Sequence, residues 1–425
     1  MDILSIYICV LATIAGLIFL QQYFNPQPSS RIRHLYNVVT RFIILPYIFR
    51  RRKFWGPITV FNLVIHSIFI AGTAVCNIFG ASDVDTARQR AGSIALIHLC
   101  VLVVVPRSAF GAAFFGISIR TYNQLHRSIG VMAMFQSLLH VLLAIKMKSL
   151  DLNDIKERNG FIVSIGCYWF LLSILLFLIT STQAIVSIAT VSITVIPQLR
   201  RHIYEFCIKL HLALGIFGIV MVWMHMKDKY GLNGRLLISA ISLFLLNTVY
   251  FIIRELYRNV TRTTFMAVAN CTPLADAVML DFIPPRPWKV RAGYYVYLRV
   301  PQIHLLSFAE THPFNIIWWE EDKLGKATRV FVVARVQTGF TKRLSGISDQ
   351  SLRLFADGPY GKPLETALWD NFLFIATDIG ISAQLPYLKE LIDLQRQPRR
   401  LGRVSIVWVV EDDGKFLSRP KSYQY

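Results

Sequence analysis

The sequence predicts a chain in two parts: a bundle of about seven membrane-spanning helices, then a small β-barrel followed by an incomplete α/β unit. Three observations carry this. The 425 residues are 54% hydrophobic and only 16% charged, with a mean hydropathy of +0.47, whereas soluble domains carry about 25% charged residues. Seven apolar runs are long enough to cross a bilayer. Beyond Arg254 those runs stop, and short β-branched and aromatic segments take over. Disorder, a collagen-like chain, a disulfide-stapled scaffold and a purely soluble fold are excluded.

The apolar runs are 3–20, 58–79, 91–106, 125–145, 161–180, 208–226 and 236–253. The first lacks the basic start of a secretory signal, so it is taken as a span. Loop charge sets the topology. Arg31, Arg33, Arg41, Arg50, Arg51, Arg52 and Lys53 lie in the 21–57 loop, which holds no acid. Placing it inside leaves every later loop consistent and makes the tail from Arg254 cytoplasmic. The uncharged stretch 161–196 is long for one span; it is taken as one crossing, because two would put the tail outside. Much of the net charge of +20 sits in such short loops, which argues for a lipid bilayer and against a nucleic-acid partner. The six cysteines show no C-x-x-C spacing and read as small buried hydrophobes.

In the second part, alternating segments at 265–268, 294–300 and 329–336, punctuated by Pro284, Pro285, Pro287 and Gly293, predict an antiparallel barrel. A buried-strand pattern at 372–377, a helix over 383–394 and a strand at 404–410 predict a βαβ unit. The expected division is 1–57 (first span and basic loop), 58–253 (transmembrane helices), 254–365 (barrel) and 366–425 (partial α/β domain).

Histidines at membrane depth need a reason. His126 and His140 share one predicted span, His211 and His225 another, each pair fourteen residues apart. Fourteen residues fall within about 40° of four whole helical turns and rise roughly 21 Å, so each pair shares a face near opposite leaflets. Two such helices offer two stacked pairs of imidazoles, and an iron porphyrin takes one axial nitrogen from each side. Parallel helices pair His126 with His211 and His140 with His225; antiparallel helices swap the partners. The topology favours the first. The alternative, packing histidines, is kept for His66 and His98. Arg107, Arg120 and Arg127 lie near the inner end, where they suit either haem propionates or ordinary inside-positive charge.

With these histidines, the His312-Pro313-Phe314-Asn315 run, the Gly339-Phe340-Thr341-Lys342 run and Asp357-Gly358-Pro359-Tyr360-Gly361, the chain resembles the fungal ferric-chelate reductases, within the superfamily that includes the NADPH oxidases. The resemblance implies an electron path from NADPH to FAD, to two haems b, and out to a ferric chelate. By it, the four histidines become axial ligands and Arg107 a haem-edge residue. His312 to Asn315 would contact the flavin, Gly339 to Thr341 its pyrophosphate, and Asp357 to Gly361 would close the flavin domain near the nicotinamide site. Thr377 and Gly380 fall in the nucleotide loop. No side chain is expected to act as general acid or base. Plasma-membrane location and a link to high-affinity iron uptake are further implications.

The chain departs from the family in three places. Asn315 replaces the usual Thr, Arg291-Ala292-Gly293-Tyr294 replaces the usual flavin-strand entry, and Asp378 stands where a glycine is expected. The later strands of the nucleotide half are not found, which suggests a truncated product. Two other readings stay open: a superoxide-forming oxidase, and a non-catalytic haem-binding remnant.

Overall fold

The computed structural model describes residues 3–20, 38–50, 58–105, 107–147, 197–226, 231–274, 276–303, 307–337, 339–347, 351–364, 366, 369–395 and 402–410. It divides into two compact units, Met1–Val249 and Tyr250–Tyr425.

The first unit is helical. Its long helices are α1 (Ile3–Leu20), α2 (Val60–Ile78), α3 (Val84–Val104), α5 (Ile119–Lys146), α6 (Pro197–Met226) and the start of α7 (Leu232–Asn259). A short α4 (Ser108–Phe114) lies between α3 and α5, and a small strand pair, β1 (Tyr47–Phe49) and β2 (Ile58–Thr59), precedes α2. Six helices among the described residues are long and apolar enough to span a membrane. They account for six of the seven predicted runs; the seventh, 161–180, lies outside the described residues, as does the crossing question over 161–196.

Several helices begin earlier than hydropathy alone suggests, because polar caps start them. Asp83 accepts the Thr86 N–H at 2.7 Å to open α3, and Ser118 accepts that of Thr121 at 3.1 Å to open α5, each satisfying an orphan donor of the first turn. Ile14, Leu17, Ile68, Leu246 and Ile253 stand exposed on the helices, as lipid-facing side chains should.

Between helices the ties are polar, the form expected where lipid offers side chains no competing partner. Tyr7 Oη on α1 hydrogen-bonds His98 Nε2 on α3 at 2.6 Å. Asn77 on α2 donates to Gln136 on α5 at 3.1 Å. His66 donates from Nδ1 to the Asn62 carbonyl, and its Nε2 is hydrogen-bonded to Ser128 on α5 at 2.6 Å. Asn233 and Asn247 on α7 reach Ser93 and the Val104 carbonyl of α3 at 2.7 and 2.6 Å. His66 and His98 therefore sit as packing histidines.

The second unit holds a closed barrel in the strand order β3-β4-β7-β6-β5-β8, every neighbour antiparallel. The strands are β3 (Ala267–Pro273), β4 (Ala277–Ile283), β5 (Tyr295–Arg299), β6 (His312–Glu321), β7 (Ala327–Arg335) and β8 (Ser351–Tyr360). Closure leaves no sheet edge to pair outside. Inward positions of each strand fill the core, with Leu280, Phe282, Val296, Leu298, Ile316, Trp319 and Leu354 almost wholly buried, each contributing on the order of 1.5–3 kcal/mol. A single-turn helix, α8 (Phe340–Ser345), seals one end through Phe340 and Leu344.

After the barrel, β9 (Phe372–Thr377) and β10 (Val404–Val409) form the predicted parallel pair, joined through α9 (Leu385–Gln395). The helix starts later than the predicted residue 383. A 3-10 turn over Asp378–Ala383 comes first, following the left-handed backbone of Asp378 (φ +44°). Helix α9 is fastened to the barrel: Glu390 accepts the Ala292 N–H at 2.7 Å and lies 3.6 Å from Arg291.

Candidate cofactor sites

Within the helical unit, the rings of His126 on α5 and His211 on α6 lie with centroids 6.4 Å apart and their planes inclined at 69°. An imidazole nitrogen bonds a metal ion at about 2 Å, so this spacing leaves room for one metal ion between the two rings. His140 and His225 lie fourteen residues further along the same two helices. His140 leans on α3: its Nδ1 donates to the Arg88 carbonyl at 2.9 Å. Because a carbonyl can only accept, Nδ1 carries the proton and Nε2 of the neutral ring keeps its lone pair. Metal-ligating histidines are commonly held in this way. Gly92 makes the approach possible, since a Cβ there would lie 2.8 Å from His140 Nδ1. The donor chemistry and the locked tautomer fit haem iron. Arg107 is exposed and opens α4.

Within the second unit, β5 brings the barrel motifs together. On one side Leu298, Tyr297, Val296 and Tyr295 pair with His312, Pro313, Phe314 and Asn315. On the other, Tyr297 pairs with Asp357 and Tyr295 with Tyr360. The third motif joins through Phe340, whose ring stacks on His312 with centroids 4.0 Å apart. Phe314 and Phe340 are core rings, whereas Asn315 is exposed. His312 Nε2 is buried, 3.6 Å from Glu310 Oε2, and makes no hydrogen bond. Burial holds the His312 pKa below its ordinary value, against the opposing pull of Glu310.

Gly339 has φ +88°, a conformation that favours glycine, and the space where its Cβ would stand is open. Thr341 Oγ1 accepts the Gln337 N–H at 2.8 Å, and Lys342 and Arg343 follow on the same turn. An orphaned ring nitrogen, an open backbone turn and two cations fit an anionic flavin nucleotide. Arg343 lies 3.5 Å from Glu310.

Asp357 and Tyr360 behave differently. Both are buried; Tyr360 Oη donates to Asp357 Oδ1 at 2.7 Å and accepts from Arg254 at 2.6 Å. Burial, with the adjoining carboxylate, pushes the Tyr360 pKa above its ordinary range, so it remains a donor. Pro359 and Gly361 are half-buried, the least covered residues of this motif.

At the nucleotide turn, Thr377 is exposed and the space beside Gly380 is open. Asp378 has a positive φ of +44°, and its carbonyl accepts the Trp408 indole N–H at 2.9 Å. The turn is thus open at Thr377 and Gly380, while the Asp378 carboxylate opposes an anionic ligand there.

Comparison with known proteins bears on both units. Residues 91–222 match the ferric reductase like transmembrane component, and residues 263–364 match an FAD-binding domain. The chain therefore carries a ferric-reductase-like transmembrane region followed by an FAD-binding domain. Ferric/cupric reductase transmembrane component 2 of Saccharomyces cerevisiae is 22% identical over 369 residues, 84% of this chain and 48% of the relative. The Aspergillus oryzae protein named "Probable cell surface ferric reductase kap2" is 27% identical over 335 residues, 75% of this chain and 43% of the relative. The chain thus spans about half the length of these curated relatives. His126, His140 and His211 fall inside the first matched region, and His225 just beyond it.

Three contributors escape sequence reading: the Arg88 carbonyl with Gly92, Glu310, and Arg254. Glu310 stands two residues before His312, a visible signal. The other two are joined to their partners only by folding.

Proposed function

We propose that the chain is a transmembrane ferric-chelate reductase, drawing electrons from cytoplasmic NADPH and delivering them to an external ferric chelate. When bound, FAD links a two-electron donor to one-electron acceptors, and haem iron relays single electrons. His126 and His211 hold one haem b; His140 and His225 hold the other. Arg107 lies at a haem edge, where its guanidinium suits a propionate. His312 through Asn315 face the flavin, and the Gly339 to Thr341 backbone, with Lys342 and Arg343, neutralises its pyrophosphate. Thr377 and Gly380 take the nicotinamide nucleotide. Plasma-membrane location and coupling to an iron uptake system go with this reading.

The observation that carries it is the close approach of His126 and His211, with ring centroids 6.4 Å apart, on two helices of a ferric-reductase-like region. The test is an optical spectrum of the purified chain, with haem and flavin counted per polypeptide. Two low-spin, six-coordinate haems are expected, and His126→Ala or His211→Ala should remove one without removing FAD. Retention of both haems in either variant would defeat the ligand assignment.

The carboxylate of Asp378 at the nucleotide turn favours one other reading, a haem-binding protein without reductase activity. NADPH-driven bleaching of the oxidised haem spectrum in membranes separates the two. The reductase reading requires it; the non-catalytic reading forbids it.

A further inference from the structure

The last turns of α7 belong to the second unit, and three polar side chains there reach the barrel. Asn259 clasps the backbone of Ala356, donating to its carbonyl at 3.1 Å and accepting its N–H at 2.8 Å. Glu255 pairs with Arg299 of β5 at 3.0 Å. Arg254 donates to Tyr360 Oη at 2.6 Å, lies 4.9 Å above the centre of that ring and is 3.5 Å from Asp357 Oδ1. Tyr360 is 2% exposed and Asp357 6%. The Asp and Tyr of the Asp357–Gly361 run thus turn inward onto a cation that lies outside the 263–364 FAD-binding match.

We propose that Arg254 is a positioning residue of the flavin site, acting through Asp357 and Tyr360. It holds the end of β8 in the shape that receives FAD and neutralises the one buried carboxylate of the motif. The proposal rests on reading the barrel as the FAD site. Two physical terms support it. A buried carboxylate that loses its hydrogen-bonding cation is unfavourable, even with Arg258, one turn further along α7, within electrostatic range of Asp357. A negative charge left less fully compensated in a medium of low dielectric also repels an anionic cofactor over several ångströms. The turn itself has little slack: a Cβ on Gly361 (φ +137°) would meet the Gly293 carbonyl at 2.7 Å. Its shape therefore follows β8, and β8 is pinned by Arg254 and Asn259.

The test uses the full chain in detergent, stripped of flavin and titrated with FAD by quenching of flavin fluorescence. Arg254→Met should weaken FAD binding about tenfold or more, with haem absorbance unchanged. Arg254→Lys, which keeps the charge but not the planar fork, should recover most of the loss. Asp357→Asn placed on Arg254→Met should also recover most of it, because a neutral amide needs no cation. Rescue by both variants marks a charge-dependent role that loss of packing would not produce.

Wild-type affinity in Arg254→Met overturns the proposal. So does a double variant as weak as Arg254→Met, and so does Asp357→Asn alone losing FAD as severely, since Asp357 would then touch the cofactor directly. Should Arg254→Met fail to fold, the Arg254→Lys and Asp357→Asn titrations decide alone. A wild-type chain that binds no FAD sinks the flavin reading itself, a distinct result.

Discussion

Gly92→Ala isolates the His140 site without touching its imidazole. A Cβ at residue 92 would lie 2.8 Å from His140 Nδ1, 3.0 Å from Cε1 and 3.4 Å from Cγ. Ordinary contacts begin near 3.5 Å, so the ring must retreat by roughly half an ångström and tilt. That movement breaks the 2.9 Å bond to the Arg88 carbonyl. Overpacking costs about 1–3 kcal/mol and the lost hydrogen bond about 1 kcal/mol. Gly→Ala in a helix returns about 1 kcal/mol, leaving a net loss of about 1–3 kcal/mol, which a folded bundle can survive. The larger effect falls on the metal, because removing the group that orients a ligating histidine lowers affinity by about 10–100-fold. Haem per polypeptide, measured as the pyridine haemochrome, should fall from two toward one, with the His126 site retained. Two haems with an unshifted reduced spectrum would refute the reasoning, since the Gly92 contact would then have no bearing on ligation.

Three further outcomes are expected. Gly111→Ala on α4 would place a Cβ 2.5 Å from Tyr122 Cε2, and should lower the thermal midpoint by an amount matching about 1–3 kcal/mol; an unchanged melt counts against the packing. Asp378→Gly removes a left-handed non-glycine residue (φ +44°). It should stabilise the second unit by about 1 kcal/mol and tighten NADPH binding in a fluorescence titration. His312, held by burial below its ordinary pKa, titrates in the unfolded chain first as pH falls. The unfolded state then binds more protons, so stability is complete above about pH 6.5 and declines below it. His312→Gln should flatten that decline in denaturant melts between pH 5 and 8.

Much of this architecture is legible along the chain because membrane spans and barrel strands are local patterns. The Phe372–Thr377 strand is read at its observed ends, and six apolar runs become helices. Boundaries are less legible where polar residues extend a helix beyond its apolar stretch. Asp83 opens α3 eight residues before the predicted run at 91, since hydropathy does not register a capping carboxylate. The four histidines stand out by their matched spacing, and the barrel motifs by their order. What holds them does not. The acceptor for His140 is a backbone carbonyl 52 residues away, and the cation for Asp357 is 103 residues away.

The sequence by itself determined that this chain has membrane-spanning helices, where six of them run, that a small β-barrel follows, and which side chains are candidates for cofactors, because composition and periodicity are properties of neighbouring residues. Only the tertiary structure decided that His126 meets His211, which nitrogen of His140 carries its proton, and that Asp357 and Tyr360 face an arginine of the preceding helix. Those facts depend on contacts between distant segments, and packing selects such contacts by shape and charge that no local pattern encodes.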